Sequence, residues 1–93
     1  MANVVICVAI NRDLGIKPGD PTLRERCEEY FGPDFVDVNG AALGDGLELT
    51  FMFRPVTHVT DHQSMELRRS QLQKFMMDQY ISRLPPGVNV RFS

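Results

Sequence analysis

The apolar run Val4–Ile10 constrains the fold of this chain more than any other stretch. Seven consecutive apolar residues, most of them β-branched, predict a strand, because the run is too short for a buried helix. A strand that is apolar on both pleat faces needs cover on both sides. We expect one face to lie under the chain's own helices and the other to have no cover within the chain. The two sets are Val4, Ile6, Val8 and Ile10 for the covered face, and Val5, Cys7 and Ala9 for the uncovered face.

Two helices are predicted from their end signals. Asp20 is a capping residue, Pro21 fits a first helical position, and Gly32 ends the helix that they open. Thr60, followed three places later by Gln63, has the capping-box pattern, and the second helix is expected to run to about residue 84. Its predicted apolar stripe comprises Met65, Leu72, Phe75, Met76, Tyr80 and Leu84.

Three further strands are predicted over residues 35–39, 47–54 and 88–92. In the first of these, Val36 and Val38 are expected to share one face. The turn that follows it lies either at Asn39 and Gly40 or within residues 44–46, and the sequence leaves both positions open.

The predicted element order is β-α-β-β-α-β, which is typical of the ferredoxin-like split βαβ sandwich. The expected fold class is therefore α+β, with a four-stranded antiparallel sheet and two helices on one face. In that topology the first and third strands are central and the second and fourth are edges. Residues 1–93 would form a single domain.

Composition excludes several function classes. A net charge of −2 and a pI near 5.6 argue against a general affinity for nucleic acid. The chain has no apolar run of about 18 residues and no basic segment at its N-terminus, so we expect no membrane contact and a cytoplasmic location, the host cytoplasm if a phage encodes the chain. Cys7 and Cys27 are read as thiols packed in a core within a reducing compartment, and no cofactor is expected.

The uncovered sheet face is the strongest functional candidate. Val5, Cys7, Ala9 and Met52 would make a flat apolar centre, which is typical of a protein interface. The expected polar ring comprises Asp37, Glu48, Arg54, Asn89 and Arg91. On the second helix, Met77 and Ile81 are expected to point outward and to join the interface. The function predicted is a non-enzymatic protein-interaction or assembly module that dimerises through this face, such as a small inhibitor or a structural subunit from a phage or mobile element.

Two alternatives stay open. His58, Asp61 and His62 are candidates for a metal site, a small-molecule site or the site of a small enzyme, because two histidines four residues apart can share a metal on one helix face. Arg68, Arg69 and Lys74 would carry nucleic-acid binding through the second helix.

Overall fold

A computed structural model describes residues 3–12, 21–80 and 87–93. Over these residues the architecture is α+β, with one four-stranded antiparallel sheet and two α-helices. The elements are β1 (Val4–Ile10), α1 (Pro21–Phe31), a 3-10 turn (Gly32–Asp34), β2 (Phe35–Leu43), β3 (Gly46–Phe53), α2 (Asp61–Gln79) and β4 (Val90–Phe92). The predicted cap Asp20, the stripe residue Leu84 and the surface candidate Ile81 lie outside the described residues.

The strand order across the sheet is β2-β3-β1-β4. The apolar strands β1 and β3 therefore occupy the centre and β2 and β4 the edges, as the element order predicts. β1 pairs with β3 along its whole length, from Val4 opposite Phe53 to Ile10 opposite Leu47. β4 is short, but reciprocal backbone hydrogen bonds of 2.8 Å between Cys7 and Ser93 extend its pairing with β1.

The β2–β3 hairpin resolves the open choice of turn. Leu43 lies opposite Gly46, so Gly44 and Asp45 form a two-residue turn. Gly44 has φ +59°, and a glycine with positive φ at the first central position is the requirement of a type II′ turn. A turn at Asn39 and Gly40 is wrong, because β2 continues through them and gains pairing with β3 as far as Leu43.

A β-bulge near the start of β2 overturns the predicted faces of that strand. Phe35 pairs with Phe53 and Asp37 with Met52, so Val36 is an extra residue on β2. Phe35 and Val38 are consequently the buried pair, each 8% exposed, whereas Val36 is half-buried. The shared face predicted for Val36 and Val38 is therefore wrong.

Both helices cover the same face of the sheet. Leu23 and Cys27 of α1 and Leu72, Phe75 and Met76 of α2 belong to one core with the inward side chains of β1 and β3. Aromatic rings join the layers, since the Phe31 ring centroid lies 4.8 Å from that of Phe53 and 5.2 Å from that of Phe75. The covered face predicted for β1 is confirmed: Val4, Ile6, Val8 and Ile10 are at most 7% exposed.

The start of α2 is fixed by polar contacts. The predicted capping box is present, because Gln63 N donates to Thr60 Oγ1 and Thr60 N donates to Gln63 Oε1. One turn later, the buried Ser64 hydroxyl accepts from Val56 N and donates to Val56 O. These bonds tie the loop after β3 to the helix. No helix within residues 3–12, 21–80 and 87–93 is both long and apolar enough to cross a bilayer.

Candidate protein-interaction surface

The sheet face turned away from the helices is the main candidate site, and we call it the open face. Side chains alternate between the two faces along a strand, so the outward residues of β1 and β3 lie on the open face. The residues directly opposite them on neighbouring strands lie on it too. Its members are Val5, Cys7 and Ala9 of β1, Glu48, Thr50 and Met52 of β3, Asp37, Asn39 and Ala41 of β2, and Arg91 and Ser93 at the β4 edge.

The centre of the open face is apolar and continuous. Val5 lies opposite Met52, and Cys7 lies opposite Thr50 with 3.9 Å between its Sγ and the Thr50 Oγ1. Val5 is 42% exposed, which is unusual for a β-branched residue in a central strand, and Cys7, Ala9 and Met52 are half-buried. Both described helices lie on the opposite face, so no described element covers this centre.

The polar ring differs in one place from the expected one. Asp37 pairs with Arg24 of α1 and accepts a hydrogen bond from Val38 N, so its carboxylate is already neutralised within the chain. Glu48 and Arg91 instead flank the small residue Ala9, one on each neighbouring strand. The sequence predicted both only as ring residues, because the pairing of β4 with β1 is a long-range relationship. Arg54 is exposed just beyond the end of β3.

Met77 belongs to a different surface from the open face. It is 58% exposed on α2, which packs on the other side of the sheet. The two groups of predicted interface residues are therefore not one continuous patch. Ile81, the neighbour predicted for Met77, lies outside the described residues.

The basic residues proposed for nucleic-acid binding do not share one exposed patch. Arg68 is only 4% exposed, and its Nε donates to the Arg54 carbonyl oxygen at 2.9 Å. The Arg69 Nη1 lies 3.2 Å from Glu66 Oε1, so an acidic neighbour offsets its charge. Lys74 is exposed. The sequence does contain a signal for the burial of Arg68. Arg68 lies four residues before Leu72, and residues four apart share one face of a helix, here the face of α2 that packs on the core.

The candidate metal residues lie at the solvent-exposed start of α2. His58 is exposed in the preceding loop, with φ +66°. His62 is exposed in the first turn, with its Nε2 4.0 Å from Glu66 Oε1. Across residues 3–12, 21–80 and 87–93, no three His, Cys, Asp or Glu side chains converge as a metal site would require.

Two shallow cavities lie on the helix side of the molecule, and Tyr30 lines both. One has a volume of about 300 Å³ and is lined by Tyr30, Phe31, Asp34, Gln71 and Lys74. The other, of about 500 Å³, is lined by Arg26, Glu29, Tyr30 and Gln79. The described lining residues of these cavities include no histidine or cysteine.

The two thiols have different surroundings. Cys27 is fully buried on the inner side of α1. This burial raises its pKa to about 12, with a smaller opposing effect from the Arg24 charge. Its thiol is therefore protonated and unreactive at neutral pH. Cys7 is also free, but it is half-buried on the open face. The prediction that both thiols are core residues is correct for Cys27 and wrong for Cys7.

Comparison of the chain with models of known protein families, with curated proteins and with solved structures found no match.

Proposed function

We propose that this chain is a non-enzymatic protein-interaction or assembly module and that the open face is its binding surface. The observation that carries the proposal is the continuous apolar centre formed by Val5, Cys7, Ala9 and Met52, over which no described element lies. Burying apolar surface against a partner is favourable by about 25 cal/mol per Å². An apolar centre with a polar ring is the usual composition of a protein interface.

The polar surroundings support the same function. Thr50 and Asn39 occupy the row beside Cys7, and Glu48 and Arg91 occupy the row at Ala9. Such groups keep a free surface hydrated and give a bound partner its orientation. Among the residues that the structure describes, Asp37 is the one charged member of the row formed by Val5 and Met52, and its carboxylate binds Arg24.

Photo-crosslinking from a defined position tests the proposal. A benzophenone amino acid replaces Val5 in one variant and Met77 in a control, and both are expressed in cells and irradiated. Met77 is the matched control because it is the more exposed residue, at 58% against 42%, and lies on the helix side. We expect a discrete protein adduct from position 5 and none of comparable yield from position 77. No adduct from position 5, or equal adducts from both positions, would overturn the proposal.

We also propose that the fold is of the ferredoxin-like class. The support is the element order β-α-β-β-α-β together with β1 and β3 in the centre of the sheet. Right-handed connections are expected for both β-α-β crossovers. NMR distance restraints that gave a left-handed crossover at either connection would contradict this assignment.

A further inference from the structure

The register of the sheet arranges the open face in rows that run across the strands. One row consists of Glu48 on β3, Ala9 on β1 and Arg91 on β4. The next row is Thr50, Cys7 and Ser93. Neighbouring strands lie about 4.8 Å apart, so the Cα atoms of Glu48 and Arg91 are separated by roughly 10 Å, with only the methyl group of Ala9 between them. A carboxylate and a guanidinium thus flank a low point in the surface.

These two charges are not paired within the described chain. Among residues 3–12, 21–80 and 87–93, neither Glu48 nor Arg91 forms an ion pair. The carboxylate of Asp37, in contrast, binds Arg24, so it makes no demand on a partner. A partner of the open face that satisfies both free charges must present a cation over β3 and an anion over β4, on either side of β1.

A second copy of this chain meets that requirement in one simple arrangement. Rotation by 180° about an axis parallel to β1 and above it places β1 over β1 and exchanges the positions of β3 and β4. Glu48 of each copy then faces Arg91 of the other, which gives two equivalent ion pairs. Thr50 faces Ser93 in the same way, and Cys7 and Ala9 face their own counterparts. An axis perpendicular to the strands would instead place β3 over β3 and leave both arginines without an acidic partner.

We infer that the partner of the open face is a second copy of this chain, bound with its two-fold axis along β1 so that Glu48 and Arg91 pair reciprocally. This inference rests on the proposed function and names its partner. The two sheets stack as an aligned β-sandwich with a separation of about 10 Å. The arrangement closes after two copies, because the same patch is used on both.

The size of the surface sets the expected strength of the dimer. With the axis along β1, β2 of each copy lies outside the contact, so three strands at about 4.8 Å and six residue steps at about 3.3 Å give a contact of roughly 14 Å by 20 Å. That is about 280 Å² per copy, roughly a third of the 800 Å² or so per partner of a standard interface. The dimer is therefore weak and depends on protein concentration and on salt, since the ion pairs lie at the border of the contact.

Charge reversal followed by mixing tests the inference by sedimentation equilibrium. Glu48→Arg places Arg over Arg twice, and Arg91→Glu places Glu over Glu twice, so each variant alone should dimerise more weakly by on the order of tenfold or more. An equimolar mixture should recover association, because the first variant presents two cations and the second two anions. Lys74→Glu, an exposed reversal on α2, is the control and should dimerise as the unmodified chain does.

Recovery on mixing separates an interface from a stability effect, because unfolded variants cannot restore each other. If either variant fails to fold, Glu48→Gln and Arg91→Gln replace the pair, and both should weaken the dimer and reduce its salt dependence. A monomeric chain at high concentration, or mixing without recovery, would overturn the inference. If the chain is monomeric and position 5 crosslinks to a different protein, the proposed function stands and the second copy is rejected as the partner. If the chain is monomeric and position 5 gives no adduct, both the proposed function and this inference are rejected.

Discussion

The Arg68 guanidinium binds the backbone carbonyl oxygen of Arg54, with its Nε donating over 2.9 Å, although the Arg68 side chain lies inside the helix layer. Its Nη1 also donates to Gln71 Oε1 at 3.0 Å and lies 3.4 Å from Asp34 Oδ2. One buried cation therefore links α2 with the end of β3 and with the turn after α1. These contacts hold the helices over the sheet at the end where β3 enters the loop.

Replacing Arg68 by methionine should destabilise the fold. The substitution keeps an apolar stem but removes the charged donor of the Arg54 carbonyl oxygen, and a hydrogen bond that involves a charged group contributes about 1.5–3 kcal/mol. We expect a loss of about 2 kcal/mol in the free energy of unfolding, measured by urea denaturation. Lys74→Met, at an exposed position of the same helix, should change it by less than about 0.5 kcal/mol. Equal losses in both variants would contradict the structural role of Arg68.

His58 should be replaceable by glycine without loss of stability. Its φ of +66° lies in the left-handed region, which costs a residue with a Cβ roughly 1 kcal/mol or more. We expect His58→Gly to raise the unfolding free energy by up to about 1 kcal/mol, after the entropy cost of glycine is subtracted. Thr57→Gly is the control, since Thr57 has no such φ and should lose stability. Thermal denaturation of both variants measures the difference.

The two cysteines should differ in reactivity. Iodoacetamide requires a thiolate and access, and Cys27 is fully buried with a pKa near 12. We expect native protein to take up one label, at Cys7, and a second label at Cys27 only in denaturant. Mass spectrometry after proteolysis locates the label. As a control, the variant Cys7→Ser should remain unlabelled in the native state. Rapid labelling of both cysteines in native protein would contradict the prediction, because it would mean that the reagent reaches Cys27 in the folded core.

Cys27 should also give the fold an alkaline limit. Its pKa is about 12 in the folded chain against an ordinary 9.0, so the unfolded chain loses this proton first as the pH rises. Below pH 9 the protonated Cys27 thiol makes its full contribution to the stability of the folded state. This contribution falls as the pH rises from 9 to 12. Cys27→Ala should have a lower stability at pH 8 but a flatter decline above pH 9. Cys7→Ala should lose stability above pH 9 as the unmodified chain does. An equally steep loss in Cys27→Ala would mean that other groups cause the decline.

Local sequence signals predicted the elements and the faces of the central strands. Val4–Ile10 is a strand, its even-numbered residues are buried, and Thr60 and Gln63 start α2 as their spacing indicated. These features depend on residues that are close in sequence, where periodicity and capping chemistry decide the structure. The exposure of Val5 follows from the same alternation once both helices lie on the other side.

Long-range relationships escaped prediction. The bulge at Val36 shifts one strand by a residue, and no local signal distinguishes it from a regular strand. Arg68 carries a charge and was therefore expected on the surface, although hydrogen bonds to Arg54 and Gln71 satisfy it inside. The row of Glu48, Ala9 and Arg91 exists only because β3 and β4 both pair with β1, from opposite ends of the chain.

The length of β2 has a consequence for the protein at high concentration. It is an edge strand of nine residues, and its last five, 39–43, carry no charge. The backbone groups on the outer side of such a strand can pair with the strand of another molecule. When β2 pairs with the other edge strand, β4, of a neighbouring molecule, molecules add side by side without limit, whereas the proposed stacking through the open face ends at two. The proposed dimer would close the assembly at the open face, whereas the β2 edge could propagate a polymer, and a single lysine at the exposed Ala42 would block only the polymer.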